Sequence, residues 1–172
     1  MRGWMLCGTV CLLLAAGQSQ AGKVEVKNVH LCCGQCVTGV AKALKTVDGV
    51  ADAKCDQKTK TVTFSTKDDK TTAAAIKALV EAGYFGAATD DGKEVKVEAP
   101  APKAGEKADE VTIKGVHVCC GACQKAISAL FTDAKVSYTG TGAQRDVKVT
   151  GKALEKAAVL QTLQKAGFTG KV

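Results

Sequence analysis

The sequence predicts an α+β protein in which one small sandwich, of strand–helix–strand–strand–helix–strand order, is written twice in tandem. Three observations predict it. The stretch His30-Leu31-Cys32-Cys33-Gly34-Gln35-Cys36 returns as His117-Val118-Cys119-Cys120-Gly121-Ala122-Cys123, 87 residues later. Each stretch follows apolar residues of period two and precedes apolar residues at three- and four-residue spacing. Ala82-Gly83-Tyr84 likewise returns as Ala166-Gly167-Phe168, at the end of the second helical pattern of each copy.

Residues 1–21 stand apart from this repeat. Arg2, the apolar run Met5 to Ala16 and the small-x-small Ser19-Gln20-Ala21 have the pattern of a secretory signal peptide, too short for a membrane span. The expectation is an exported protein, periplasmic or secreted, that begins near Gly22 and has no membrane span once the signal is removed. Cys7 and Cys11 then count as apolar filler.

The first copy occupies 22–97. Val24, Val26, Val29 and Leu31 read as a strand whose alternation breaks between Val26 and Val29. Val111, Ile113, Val116 and Val118 break at the same place, which predicts a bulge that re-aims the histidine and cysteines after it. Gly34 to about Val47 is helical, with Val37, Val40, Ala41 and Leu44 on one face, and Asp48-Gly49 stops it. Val50 to Cys55 and Thr61 to Ser65 form a hairpin. A helix over Thr72 to Ala82 buries Ala75, Ile76, Leu79 and Val80, with an N-cap somewhere in Thr66 to Thr71. Tyr84 to Ala88 is the last strand, and Lys93 to Val97 alternates as an extension of the sheet.

Residues 98–110 hold both prolines and little that is apolar beyond alanine, as a solvated linker does. The second copy, 111–172, predicts a helix from Gly121 to about Thr132 with Ala126, Ile127 and Leu130 inward. Strands near Lys135 to Thr139 and Asp146 to Thr150 follow, then a helix over about Lys152 to Ala166 and a terminal strand, Thr169 to Val172. The fold is thus two ferredoxin-like βαββαβ sandwiches in tandem, each a four-stranded antiparallel sheet with two helices on one face. Each copy has only about 65 residues, near the lower limit for an independent core.

Composition narrows the partners. The chain carries 24 Lys plus Arg against 17 Asp plus Glu, a formal +7, but Arg145 is the only arginine after Arg2. Without arginines and interleaved aromatics, the lysines fit a solvated surface better than a nucleic-acid face. Seven cysteines follow the signal segment, an odd number, and six of them lie in the two repeated stretches. The adjacent pairs Cys32-Cys33 and Cys119-Cys120 bridge poorly, since a trans peptide holds their Cα atoms about 3.8 Å apart. Disulfide stapling therefore explains the pattern badly.

Cys33-Gly34-Gln35-Cys36 places two sulfurs on one turn at a strand–helix junction, where helix amides favour thiolate. Thiolates select Cu(I), Zn(II) or heavier thiophilic ions over Mg(II) and Ca(II). The chain here resembles two tandem heavy-metal-associated domains, the family of copper chaperones, the metal-binding domains of copper-transporting ATPases and the periplasmic mercury-binding protein. Cys33 and Cys36, and Cys120 and Cys123, fall on the two cysteines of the family's Met-x-Cys-x-x-Cys loop, with Leu31 and Val118 on its methionine. Tyr84 and Phe168 fall on the family's aromatic, which follows Ala-Gly and lies near the loop.

The resemblance implies a soft-metal binding protein with one site per domain, which buffers, detoxifies or ferries its ion without chemical turnover. Cu(I) is favoured, with Hg(II) and Zn(II) as alternatives. The implied partner is a metal-transporting membrane protein or another metal carrier. Cys32, Cys119, His30 and His117 depart from the family pattern. They are either added ligands, giving each site three thiols and an imidazole, or a small buried residue and a hydrogen-bonding or exposed polar histidine in each copy. Cys55 has no counterpart, Tyr138 lying near its equivalent place, and reads as strand packing. Tyr84 and Phe168 serve the core first. The competing functions are a thiol–disulfide oxidoreductase using the same Cys-x-x-Cys pairs, and a structural module linked by disulfides.

Overall fold

The computed structural model describes residues 22–99 and 101–172, which fold into two antiparallel sheets and four helices. The expected signal segment, with Cys7 and Cys11, lies outside the described residues. The first half runs β1 (Gly22–Lys27), α1 (Gly34–Lys45), β2 (Val50–Asp56), β3 (Thr61–Thr66), α2 (Asp69–Glu81), β4 (Ala87–Asp90) and β5 (Lys93–Val95). Its sheet is ordered β2-β3-β1-β4-β5. β1 is central because Val24 and Val26, opposite Phe64 and Val62 of β3, form the apolar row on which the helices lie. Val40 and Leu44 of α1 and Ala75, Ile76 and Leu79 of α2 complete that core. Each large side chain so buried contributes about 1.5–3 kcal/mol. α2 begins three residues before the expected Thr72, because Asp68 caps it by accepting a hydrogen bond from the Thr71 amide at 2.7 Å.

The second half runs β6 (Lys107–His117), α3 (Gly121–Ser128), β7 (Lys135–Thr139), β8 (Gln144–Glu155) and α4 (Lys156–Lys165), with a sheet ordered β6-β8-β7. Its boundaries differ from the sequence expectation. β6 starts at Lys107, inside the expected linker, and β8 runs on to Glu155, where a helix was expected from Lys152. The two extensions pair with each other, Lys107 opposite Glu155 and Ala108 opposite Leu154, and Asp109 accepts from the Ala153 amide at 2.9 Å. Helical propensity from Lys152 yields to this ladder, and α4 waits until the ladder ends. α3 stops at Ser128, where the chain tightens through Leu130 N–H to Ile127 and Phe131 N–H to Ser128 bonds. The expected terminal strand is reduced to one bridge, Lys114 to Lys171, and in the first half Tyr84 makes an isolated bridge before β4.

The expected break before the cysteines is a single left-handed residue in each half. Asn28 has φ +65° and Gly115 φ +71°. In β6 this produces a register shift between Ile113 and Val116, while β1 ends just before Asn28. Asparagine and glycine are the residues that enter this region most readily. The kink lets Val29 and Leu31, and Val116 and Val118, stay buried while the loop turns toward the other half.

The halves meet at these loops. Tyr84 bridges Phe168, Phe85 donates its amide to Gly167 at 3.1 Å, and Thr169 donates to Gly83 at 3.1 Å. Among the described residues no helix is long and apolar enough to cross a membrane.

Candidate metal centre

Each cysteine loop is fixed at three points: the left-handed residue, the buried Leu31 or Val118, and the helix that starts one residue after Cys33 or Cys120. Cys36 and Cys123 lie in the first turns of α1 and α3 and are fully buried. The docking of the halves points both loops at one place.

There the six thiols of the two loops converge, all unpaired. Cys32 Sγ lies 3.6 Å from Cys36, 3.7 Å from Cys120 and 3.5 Å from Cys123. Cys119 Sγ repeats the pattern, 3.7 Å from Cys123, 3.6 Å from Cys33 and 3.7 Å from Cys36. Within the Cys-x-x-Cys pairs, Cys33 is 3.9 Å from Cys36 and Cys120 is 3.8 Å from Cys123. Exchanging 32 with 119, 33 with 120 and 36 with 123 maps the set onto itself, so the cluster has the two-fold symmetry of the repeat.

Thiols this close cannot all ionise, and their protons are shared unequally. Cys36 is pulled far below the ordinary thiol range, first by a hydrogen bond from Cys123 and further by His117 and the amides of Cys32 and Cys33. Cys123 is pushed up in step by its bond to Cys36, so the two behave as one pair holding one proton. The amides of Cys123 and Ala122, at the start of α3, hold Cys120 down to about 7. Desolvation of its sulfur among the other thiols pushes Cys32 up to about 12, although the residue as a whole is exposed. Burial raises Cys119 as well.

The histidines flank the thiols, each against an aromatic ring of the opposite half. His117 is buried and stacks on Tyr84, while His30 stacks on Phe168 at 4.1 Å. Tyr84 donates its hydroxyl proton to the Cys36 carbonyl at 2.9 Å, so its oxygen accepts from His117 Nε2 at 3.1 Å. Phe168 has no hydroxyl, and His30 Nε2 is buried without a partner. Burial lowers the His30 pKa, which keeps the ring neutral and able to donate an electron pair. One of its ring nitrogens lies within 4.8 Å of the sulfurs of Cys32 and Cys123.

Seven of the eight residues expected at a metal site, Cys32, Cys33, Cys36, Cys119, Cys120, Cys123 and His30, fall into metal-sized groups at the junction of the halves, in one cluster instead of two separate loops. His117 lies beside Cys36 but in none of these groups, its Nε2 engaged with Tyr84. Cys55, half-buried on β2, belongs to none of the metal-sized groups among the described residues. Tyr84 and Phe168 are core residues, as expected, and each also lies near the loops, stacked on the other half's histidine. Gly39 escaped notice. A methyl group there would strike the Tyr84 hydroxyl and approach His117 Cε1 to 3.2 Å. Its signal was a glycine in mid-helix, which propensity disfavours by about 1 kcal/mol.

A soft cation fits this donor set. Six thiols, an unpartnered imidazole nitrogen and helix amides that favour thiolate suit Cu(I), Zn(II) or Hg(II). Groups that could hold it are Cys33, Cys36 and Cys119; Cys119, Cys120 and Cys123; Cys32, Cys33 and Cys120; and His30, Cys32 and Cys123. No curated protein and no solved structure matches the chain. Residues 24–85, which carry the first cysteine loop, both helices of the first half and Tyr84, match the heavy-metal-associated domain, and this supports a heavy-metal-associated protein.

Proposed function

We propose that the chain is an exported, tandem heavy-metal-associated protein that binds Cu(I) as cargo, then buffers it or passes it to a transporter or another carrier by ligand exchange. The observation that carries this reading is the convergence of six free thiols at 3.5–3.9 Å, with an open side at the exposed Cys32. Thiolates are soft donors, and an edge open to solvent lets an incoming thiol replace one ligand at a time. The match over residues 24–85, the repeat of its loop at Cys120 and Cys123, and the signal-like residues 1–21 support the rest.

The test is anaerobic titration of the purified chain with Cu(I) against a coloured Cu(I) chelator, beside Zn(II) and Hg(II). Retention of Cu(I) is expected, with loss when Cys33, Cys36, Cys120 and Cys123 are changed to serine. Cys55→Ala is expected to bind like the parent. Cu(I) taken by the chelator from the unaltered chain as readily as from the four-serine variant would end this proposal. Export is tested separately, by locating the full-length chain after cell fractionation.

A further inference from the structure

The eight sulfur–sulfur distances contain two closed triangles. Cys33, Cys36 and Cys119 form one, with sides of 3.9, 3.6 and 3.7 Å. Cys120, Cys123 and Cys32 form the other, with sides of 3.8, 3.7 and 3.5 Å. The triangles share no sulfur, use all six, and exchange under the two-fold symmetry of the repeat. Each takes both sulfurs of one Cys-x-x-Cys pair and the first cysteine of the opposite loop.

We propose that the protein holds two Cu(I) ions, each bound by three thiolates, and that the third ligand of each site is donated across the junction: Cys119 to the Cys33–Cys36 site, and Cys32 to the Cys120–Cys123 site. The inference rests on the soft-metal reading above and specifies its ligands. Triangles of these sides have centres about 2.1–2.2 Å from each sulfur, close to the roughly 2.3 Å of metal–thiolate bonds. An ion can sit in or just above the plane of either triangle without moving the backbone. The alternative of two sulfurs from one half alone leaves Cys32 and Cys119 pressed against those ions with no role. Each also touches its own loop, Cys119 at 3.7 Å from Cys123 and Cys32 at 3.6 Å from Cys36. Cys119, Cys120 and Cys123 of one loop close only within 4.8 Å, whereas the cross-junction triangles have every side under 4 Å. As each ion binds, its three thiols lose their protons to solvent or to the incoming ligand's base, and no electron is transferred. The doubled cysteine thus makes each half's site incomplete without the other, and loading ties the halves together.

Cu K-edge X-ray absorption on the full chain, loaded to saturation with Cu(I), tests this. Two ions per chain with three sulfur neighbours each are expected. In the Cys32→Ser, Cys119→Ser double variant the count should fall to two sulfurs per ion, with shorter bonds, and a competing chelator should strip the copper at least tenfold more readily. Cys119→Ser alone keeps one complete triangle, so its average should fall between the two, which guards against a double variant that misfolds. An unchanged sulfur count in the double variant overturns the cross-donation while leaving Cu(I) binding in place. So does saturation at one ion, or at about four ions with copper–copper scattering, as six doubly bridging thiolates around trigonal ions would give. Failure of the unaltered chain to retain Cu(I) overturns the underlying reading as well.

Discussion

Tyr84 and His117 belong to different halves of the chain, yet their rings stack with centroids 4.4 Å apart and the tyrosine oxygen lies 3.1 Å from His117 Nε2. The contact fixes a tautomer. Tyr84 has one proton, the Cys36 carbonyl can only accept it, and so the proton between oxygen and imidazole sits on Nε2. A residue that closes the core of one half therefore orients the histidine beside the other half's thiols and touches the backbone of Cys36 in its own.

Tyr84→Phe should be costly for that reason. It leaves the buried His117 Nε2–H without an acceptor and takes from the Cys36 carbonyl the donor it has besides its partner within α1. A loss of about 1–3 kcal/mol is expected, measured as a lower urea midpoint with an unchanged slope. A midpoint equal to that of the parent would mean that water satisfies both groups and that the hydroxyl does not tie the halves.

Phe168→Tyr is the mirror experiment. His30 Nε2 lacks a partner, and the position equivalent to Gly39, 87 residues on, is Ala126. On the Tyr84 side a methyl group at Gly39 would strike the hydroxyl. Phe168→Tyr alone should therefore be neutral or destabilising, and Ala126→Gly added to it should recover stability by more than glycine's helix cost of about 1 kcal/mol. The double-mutant cycle reads the coupling directly, with an expected size of about 0.5–3 kcal/mol. Additive effects would show that the two sides of the repeat do not share one geometry.

Where the sequence was and was not legible follows from the range of the forces involved. The strand cores Val24, Val26, Val62 and Phe64 and the faces of α1 and α2 were readable, because period-two and period-3.6 burial is a local property. The kink before the cysteines was readable because a skipped residue breaks the period, and it broke it twice. The start of α4 was misplaced because the ladder between Lys107–Ala108 and Leu154–Glu155 joins segments far apart in the chain. The eight site residues were legible as chemistry, but their union was not. Some groups that bring the loops together are backbone atoms, such as the Gly83 and Gly167 carbonyls, with no side-chain signature, and the side chains that also cross, Asn28, Gln144 and the two histidine–aromatic stacks, pair residues far apart in the chain. Tyr84 and Phe168 looked like core residues because, in burial, they are.

Asp68 gives a pH dependence independent of the thiols. Its carboxylate accepts from the Thr71 amide and hydroxyl, both at 2.7 Å, and these bonds hold its pKa below the ordinary carboxylate value. A lowered folded-state pKa means that stability is present above the unfolded value, near pH 4, and is lost as pH falls through the folded one. Asp68→Asn keeps a capping side chain without the charge. The difference in thermal midpoint between parent and variant should be constant from pH 5 to 7 and shrink below about pH 4. A difference that persists unchanged at lower pH would assign the cap's effect to hydrogen-bond geometry alone.

Gly167 tests the docking of the halves. Its φ is +86°, and a methyl group there would strike the amide nitrogen of His30 and the carbonyl oxygen of Asn28, at the kink of the opposite half. Gly105 supplies a control with φ +82° and open space around it. Alanine in the left-handed region costs about 1–2 kcal/mol at either position. Only at Gly167 does the added carbon also push the halves apart. The fully buried Cys36 and Cys123 report that separation through their rate of reaction with a thiol reagent. Gly167→Ala should raise the rate about 5–30-fold, the factor corresponding to one or two kcal/mol of easier opening, while Gly105→Ala should leave it near that of the parent. Equal acceleration by both would attribute the exposure to general destabilisation, and no acceleration by either would mean that the cysteine loops stay closed without this contact.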